Sequence, residues 1–148
     1  MGLDMYAHAY EKTKHGKAII HDEKHPPEDL AYWRKHNALH RWMEDHWQAM
    51  TFETYQTLCG FNNNDLSQTK FNEWKSGAFN CINLPLDEAA LDKLADDIQN
   101  NRLIPTSGFF WGPTEYDPME MAMDDLEFVI KAREAIKEGK LVVYSSWW

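Results

Sequence analysis

Eleven consecutive residues, Tyr32-Trp33-Arg34-Lys35-His36-Asn37-Ala38-Leu39-His40-Arg41-Trp42, mix flat aromatic rings with guanidinium, ammonium, amide and imidazole groups. A guanidinium fork holds a carboxylate or phosphate through two bonds, an amide orients a base or sugar, and rings beside cations suit a nucleotide-like ligand. Arg34, Lys35 and Asn37 are therefore candidate ligand-binding residues with Trp33 as a flanking ring, and His40 is a candidate proton carrier. His36 and His40 stand at the spacing of a zinc-binding helix pair. Asn37 occupies the place where zincins carry Glu, and no second ligand pair follows at a diagnostic distance. The two rings therefore read as packed, hydrogen-bonded groups, and neither a metal nor another cofactor is expected.

A second cluster, Thr114-Glu115-Tyr116-Asp117, lies between an aromatic run and a helix start, where loops present side chains from a rigid base. Glu115 can serve as a general base or as an ionic partner of Arg34, Tyr116 can orient a ligand, and Asp117 reads as a helix cap. Ser145 and Ser146 add hydroxyls as ligand-binding candidates, but no GxSxG elbow precedes them. No nucleophile signature accompanies Cys59 or Cys81, and the chain has neither a P-loop nor a dinucleotide-type glycine fingerprint.

The elements that must position these groups follow from periodicity. Leu3, Met5, Ala7 and Ala9 alternate with Asp4, Tyr6, His8 and Tyr10, which predicts a strand over 3–10. Thr13, His15 and Gly16 suit a hairpin turn with a returning strand at 18–20. After Pro26-Pro27, a helix is predicted from Glu28 to about Gln48. Its wheel places Tyr32, Leu39, Trp42, Met43 and Trp47 in an apolar arc that also takes in Lys35, His36 and His46, with His40 at its edge. Arg34, Asn37, Arg41 and Asp45 lie opposite. Phe52, Tyr55, Leu58 and Phe61 have helical spacing, Asn62 to Asn64 mark a loop, and a short amphipathic run reaches Trp74. A strand is expected over 79–84 and a helix from Pro85 through Gln99. Asp117-Pro118-Met119-Glu120 opens a helix to about Lys137 that Gly139 ends, and a final strand covers 141–146.

The 148 residues fit one domain, 1–148, and the seven tryptophans among 14% aromatic residues argue for a packed globule. Fifteen basic against 24 acidic residues give a net charge of −9, which opposes general nucleic-acid binding and attraction to anionic membranes. Screening over a short Debye length still lets Arg34, Lys35 and Arg41 act locally on one small anion. Two cysteines without CxxC spacing and no apolar leader point to a reducing cytoplasm, and no apolar run reaches the roughly 20 residues of a membrane helix. Met1-Gly2 is not a convincing myristoylation signal, because Tyr6 stands where Ser or Thr is expected.

Four pieces in order, Gly2-Leu3-Asp4-Met5-Tyr6, then Tyr32-Trp33-Arg34-Lys35 with Asn37 and His40, then Gly108-Phe109-Phe110 through Thr114-Glu115-Tyr116-Asp117, and finally Tyr144-Ser145-Ser146-Trp147, resemble a family of small proteins from tailed bacteriophages and some bacteria. The resemblance covers nearly the whole chain. It implies a setting, the cytoplasm of a bacterial host, and no reaction. His36 departs from the pattern, which more often has a small residue there, and Gly112-Pro113 replaces a more usual Gly-Ser.

Together these features predict one α+β domain, a small, mainly antiparallel sheet covered by about three principal helices. The leading functional expectation is a phage-type accessory protein that binds a small anionic, nucleotide-like ligand and blunts a host defence by sequestration. Two alternatives belong to other classes: a small hydrolase or transferase using His40 and Glu115 as an acid–base pair, and an acidic interaction protein or DNA mimic that engages a host protein. The residues alone do not decide whether the chain is an enzyme.

Overall fold

The computed structural model describes residues 2–20, 22–104 and 118–148. In chain order these form β1 (Asp4–Tyr10), β2 (Glu28–Arg34), α1 (Asn37–Ala49), α2 (Phe52–Cys59), α3 (Gln68–Ser76), β3 (Leu84–Leu86), α4 (Glu88–Gln99), α5 (Pro118–Lys137) and β4 (Leu141–Trp147). The strands make one four-stranded antiparallel sheet in the order β2-β1-β4-β3, the α+β architecture that the periodicity predicts. No helix among the described residues is long and apolar enough to cross a membrane.

β1 sits between β2 and β4 and alternates as expected, with Met5, Ala7 and Ala9 buried and Asp4, Tyr6 and His8 half-buried. Ala7 lies opposite Tyr144 in the β1–β4 register, so a small side chain leaves room for a large buried ring. α1 and α5 cover this face, through His40 against Tyr144 and through Asp125 and Phe128 against Trp33. α4 packs in turn on α5.

The predicted helix over 28–48 is divided: its first seven residues form β2, and the helix begins only at Asn37. The physical reason is a bulge. Ala7 pairs with Ala31 but His8 pairs with Asp29, so Leu30 is an extra residue in β2, and both Leu30 and Trp33 turn into the core. Two apolar residues three apart imitate a helical stripe in a strand. Tyr32, placed on the apolar arc by the wheel, is instead 57% exposed. At the end of β2, Lys35 takes a left-handed backbone (φ 54°) and donates its N–H to the Leu3 carbonyl at 2.8 Å, which turns the chain into α1.

The expected returning strand at 18–20 reduces to a single bridge between Lys12 and Ala18. The Ala18 N–H goes to the Cys59 carbonyl at 2.8 Å, and Lys17 pairs with Asp65, so the segment docks on the α2 end of the molecule and leaves β2 to pair with β1. The expected strand at 79–84 shifts to β3, because Cys81 adopts a positive φ of 59° while its N–H caps the Ser146 carbonyl. The helix starts are more regular: Thr51, Ser67 and Asp87 cap α2, α3 and α4 through side-chain oxygens, and Pro118 opens α5.

Gly60 ends α2 in the left-handed region at φ 67°, and a Cβ there would stand 2.1 Å from the Gly16 carbonyl oxygen. Both the conformation and the space require glycine. Gly60→Ala should destabilise the fold by at least about 2 kcal/mol, since the left-handed cost alone is about 1–2 kcal/mol and backbone must also move. A fall in the urea midpoint with an unchanged slope checks it.

Candidate functional site

At the end of β2 a buried carboxylate joins strand to helix. The Trp33 indole N–H donates to Asp125 Oδ1 at 2.9 Å, and His36 Nε2 lies 2.7 Å from Asp125 Oδ2. All three side chains are buried, His36 and Asp125 almost completely. The cost of removing a carboxylate from water is offset by a separate donor on each oxygen. Phe128, one helical turn beyond Asp125, meets the Trp33 ring edge-on at 5.1 Å between centroids and holds the indole in place.

Beside this anchor lies a cleft of about 140 Å³ lined by Tyr32, Trp33, Arg34 and His36 from the β2 end and by Glu120, Met121 and Asp124 from the first turns of α5. Arg34 is exposed, and Gly2 passes so close that a Cβ there would sit 3.2 Å from the guanidinium. The Tyr32 hydroxyl donates to Asp4 at 2.6 Å, its ring leans on Tyr6 at 5.3 Å, and the neighbouring Asp4 carboxylate pushes its phenol up to about 12. Tyr32 is thus a fixed, neutral ring at the mouth of the cleft.

The predicted site residues separate. Trp33 and Arg34 meet at the cleft, whereas Asn37 and His40 face the interior and are fully buried. His40 Nδ1 and the Tyr144 hydroxyl are 2.6 Å apart, and the His40 ring leans on Phe79 at 5.1 Å. Ser146, also buried, donates its hydroxyl to the Phe79 carbonyl at 3.5 Å, and the Phe79 ring stacks on Tyr144. Burial pushes the Tyr144 hydroxyl well above its ordinary range and lowers His40 to about 4. Both groups are therefore neutral, and a single buried hydrogen bond joins them. Ser145 lies on the opposite face of the sheet, in register with Tyr6, and Lys35 occupies the β2–α1 turn. Glu115 and Tyr116 lie outside the described residues.

His36 and His40 do not form a pair, since one ring bonds Asp125 and the other Tyr144. His40 is sealed in the core, so the acid–base role expected of it has no route to the cleft. Sequence reasoning passed over His36 and missed Asp125. A signal for Asp125 is present: Met121, Asp125, Phe128, Ala132 and Ala135 recur at alternating spacings of four and three, which puts an acid in the middle of an apolar stripe. Such an acid must have buried partners.

A larger cleft of about 260 Å³ opens between α1 and α4, where Trp42 stacks on His46 and Arg41, Lys93 and Arg102 contribute cations. Its charges are largely engaged already, because Asp97 accepts from Trp42 and Arg102, Arg102 also pairs with Asp96, and Arg41 faces Asp45. No family model matches this chain, and no curated protein or solved structure matches it either.

The buried His40 makes stability depend on pH with a definite sign. Its ordinary value of 6.5 applies to the unfolded chain, which therefore takes up a proton between about pH 6.5 and 4 that the folded protein does not. The contribution is complete above about pH 6.5 and is lost as pH falls toward 4, with a slope on the order of 1 kcal/mol per pH unit. His40→Gln, which keeps a polar partner for Tyr144, should flatten this part of the profile while lowering stability at pH 7. Urea unfolding from pH 7.5 to 4 measures both effects.

Proposed function

We propose that this chain binds a small anionic, nucleotide-like ligand at the cleft between β2 and α5. The observation that supports it is the convergence on one cleft of the Arg34 guanidinium, the fixed Tyr32 ring and the Trp33–Asp125–His36 anchor. Arg34 takes the anionic group through its fork. Glu120 and Asp124 also line the cleft, so a bare inorganic anion meets repulsion, whereas a ligand joining an anionic group to N–H donors satisfies both kinds of lining charge. A space of about 140 Å³ holds one ring or one anionic group of such a ligand, and the remainder lies outward over Tyr32.

Binding is favoured over catalysis by His40, because that ring is enclosed and bonded to Tyr144. The resemblance to small phage proteins supports an accessory role in an infected bacterium, the withdrawal of a nucleotide signal by sequestration. The net charge of −9 fits a binder of single small molecules better than one that coats a duplex.

Titration calorimetry with linear and cyclic nucleoside mono- and diphosphates is the direct test. At least one should bind with a Kd below about 1 mM, and Arg34→Ala should weaken it about tenfold or more, the loss expected of a charge-assisted pair. Lys93→Ala, in the α1–α4 cleft, should leave the affinity unchanged. Absence of heat for every nucleotide at millimolar concentration, or binding indifferent to Arg34→Ala, overturns the reading.

A further inference from the structure

We infer that His36 reads the ligand in this cleft through its Nδ1 lone pair and that Asp125 is the positioning residue that keeps the lone pair there. The inference rests on the binding site proposed above and names the ligand feature it selects, an N–H or O–H donor close to the anionic group.

The tautomer follows from the partners. The Trp33 indole has only a hydrogen to give, so Asp125 Oδ1 is an acceptor, and the carboxylate presents its second oxygen to His36 Nε2 at 2.7 Å. His36 therefore carries a hydrogen on Nε2, and in the neutral ring this leaves Nδ1 as an acceptor. That nitrogen is buried and has no hydrogen-bond partner among the described residues. Leaving a buried polar atom unmet costs about 1–3 kcal/mol, and such atoms are rare outside sites with work to do. His36 is one of the residues that line the cleft, together with Arg34. A donor on a bound ligand removes the deficit, so binding gains what the empty site lacks.

The same arrangement, a buried carboxylate ordering an imidazole whose other nitrogen faces the substrate, prepares histidines for proton transfer in hydrolases. Here the described lining of the cleft holds no Ser or Cys to be activated. The assigned role is therefore acceptance of a hydrogen bond, and it discriminates ligands by the presence of the donor, because a buried acceptor left unpaired penalises an analogue without one.

The test has two arms. In the free, unmodified protein, nitrogen-15 NMR of the imidazole should show a hydrogen on His36 Nε2 and none on Nδ1. A hydrogen on Nδ1 overturns the inference without touching the proposed binding site. The second arm titrates AMP, GMP, CMP and UMP while following the His36 Nδ1 resonance and the heat of binding. At least one nucleotide should shift Nδ1 saturably, and His36→Phe should weaken it about tenfold or more. Asp125→Asn offers the ring an amide hydrogen in place of a carboxylate, moves the imidazole hydrogen to Nδ1, and should cause a comparable loss together with a changed tautomer. Nucleotide binding that falls with Arg34→Ala but survives His36→Phe overturns the role of His36 and leaves the site standing. Absence of a saturable Nδ1 shift with all four overturns the role of His36, and the site itself falls only if the wider panel of nucleoside mono- and diphosphates is silent too. Should either variant fail to fold, the tautomer and the ligand-induced Nδ1 shift in the unmodified protein still decide.

Discussion

The carboxylate of Asp125 is a negative charge held where water does not reach it, and the junction between sheet and helix is arranged around that fact. One oxygen is met from β2 by Trp33 and the other from the β2–α1 turn by His36. Trp33 is turned inward by its register opposite the buried Met5, and the left-handed Lys35 redirects the chain so that His36 follows as a buried residue. A buried ionic group of this kind contributes little net stability compared with apolar packing of equal volume. Its effect is on geometry: a shift of α5 by one turn against β2 would strand the charge, so the register of helix on strand is fixed. The cleft beside it inherits that rigidity, which is what a site needs if Arg34 and the α5 carboxylates are to face one ligand at a set distance.

The polar interior of this protein is divided into two systems with different relations to solvent. His40, Tyr144 and Ser146 are buried between α1 and the sheet, and the His40–Tyr144 bond ties the helix to the sheet. Trp33, His36 and Asp125 lie at the edge of the α5 packing, where His36 lines a cleft. Histidine occurs in both, four residues apart, yet one is bonded within the core and the other lines the proposed site. The distinction comes from the turn of α1: the two rings leave neighbouring turns of the chain toward different neighbours.

Much of the fold is legible in the residues alone. The alternation of β1, the Thr, Ser and Asp caps, the apolar spacing of α4, and Pro118 with Gly139 around α5 are local signals that tertiary contacts reinforce. The 28–34 segment is not, because a β-bulge gives two core residues a helical interval, and the choice between strand and helix depends on whether β1 finds a partner elsewhere. The site is legible in part for the same reason. Trp33 and Arg34 reach the cleft, but the wheel that grouped Arg34 with Asn37 and Arg41 assumed one continuous helix, and once the chain turns at Lys35 those residues part company. Asp125 was visible only as an acid within an apolar stripe, and its meaning depends on residues about ninety positions away.

The pairing of β1 with β4 joins residues 4–10 to residues 141–147, the longest separation in sequence that this sheet contains. β1 is also the strand on which β2 depends. Until residue 147 has left the ribosome, the central strand has one open edge, and its apolar face lacks the large ring of Tyr144 that fills the space over Ala7. Closure of the sheet is therefore a late event in which much loop entropy is lost before the contacts form, and the topology belongs with folds whose rate is set by long-range pairing. The interval between the emergence of β1 and that of β4 is the period in which an unpaired β1 edge is exposed to other chains.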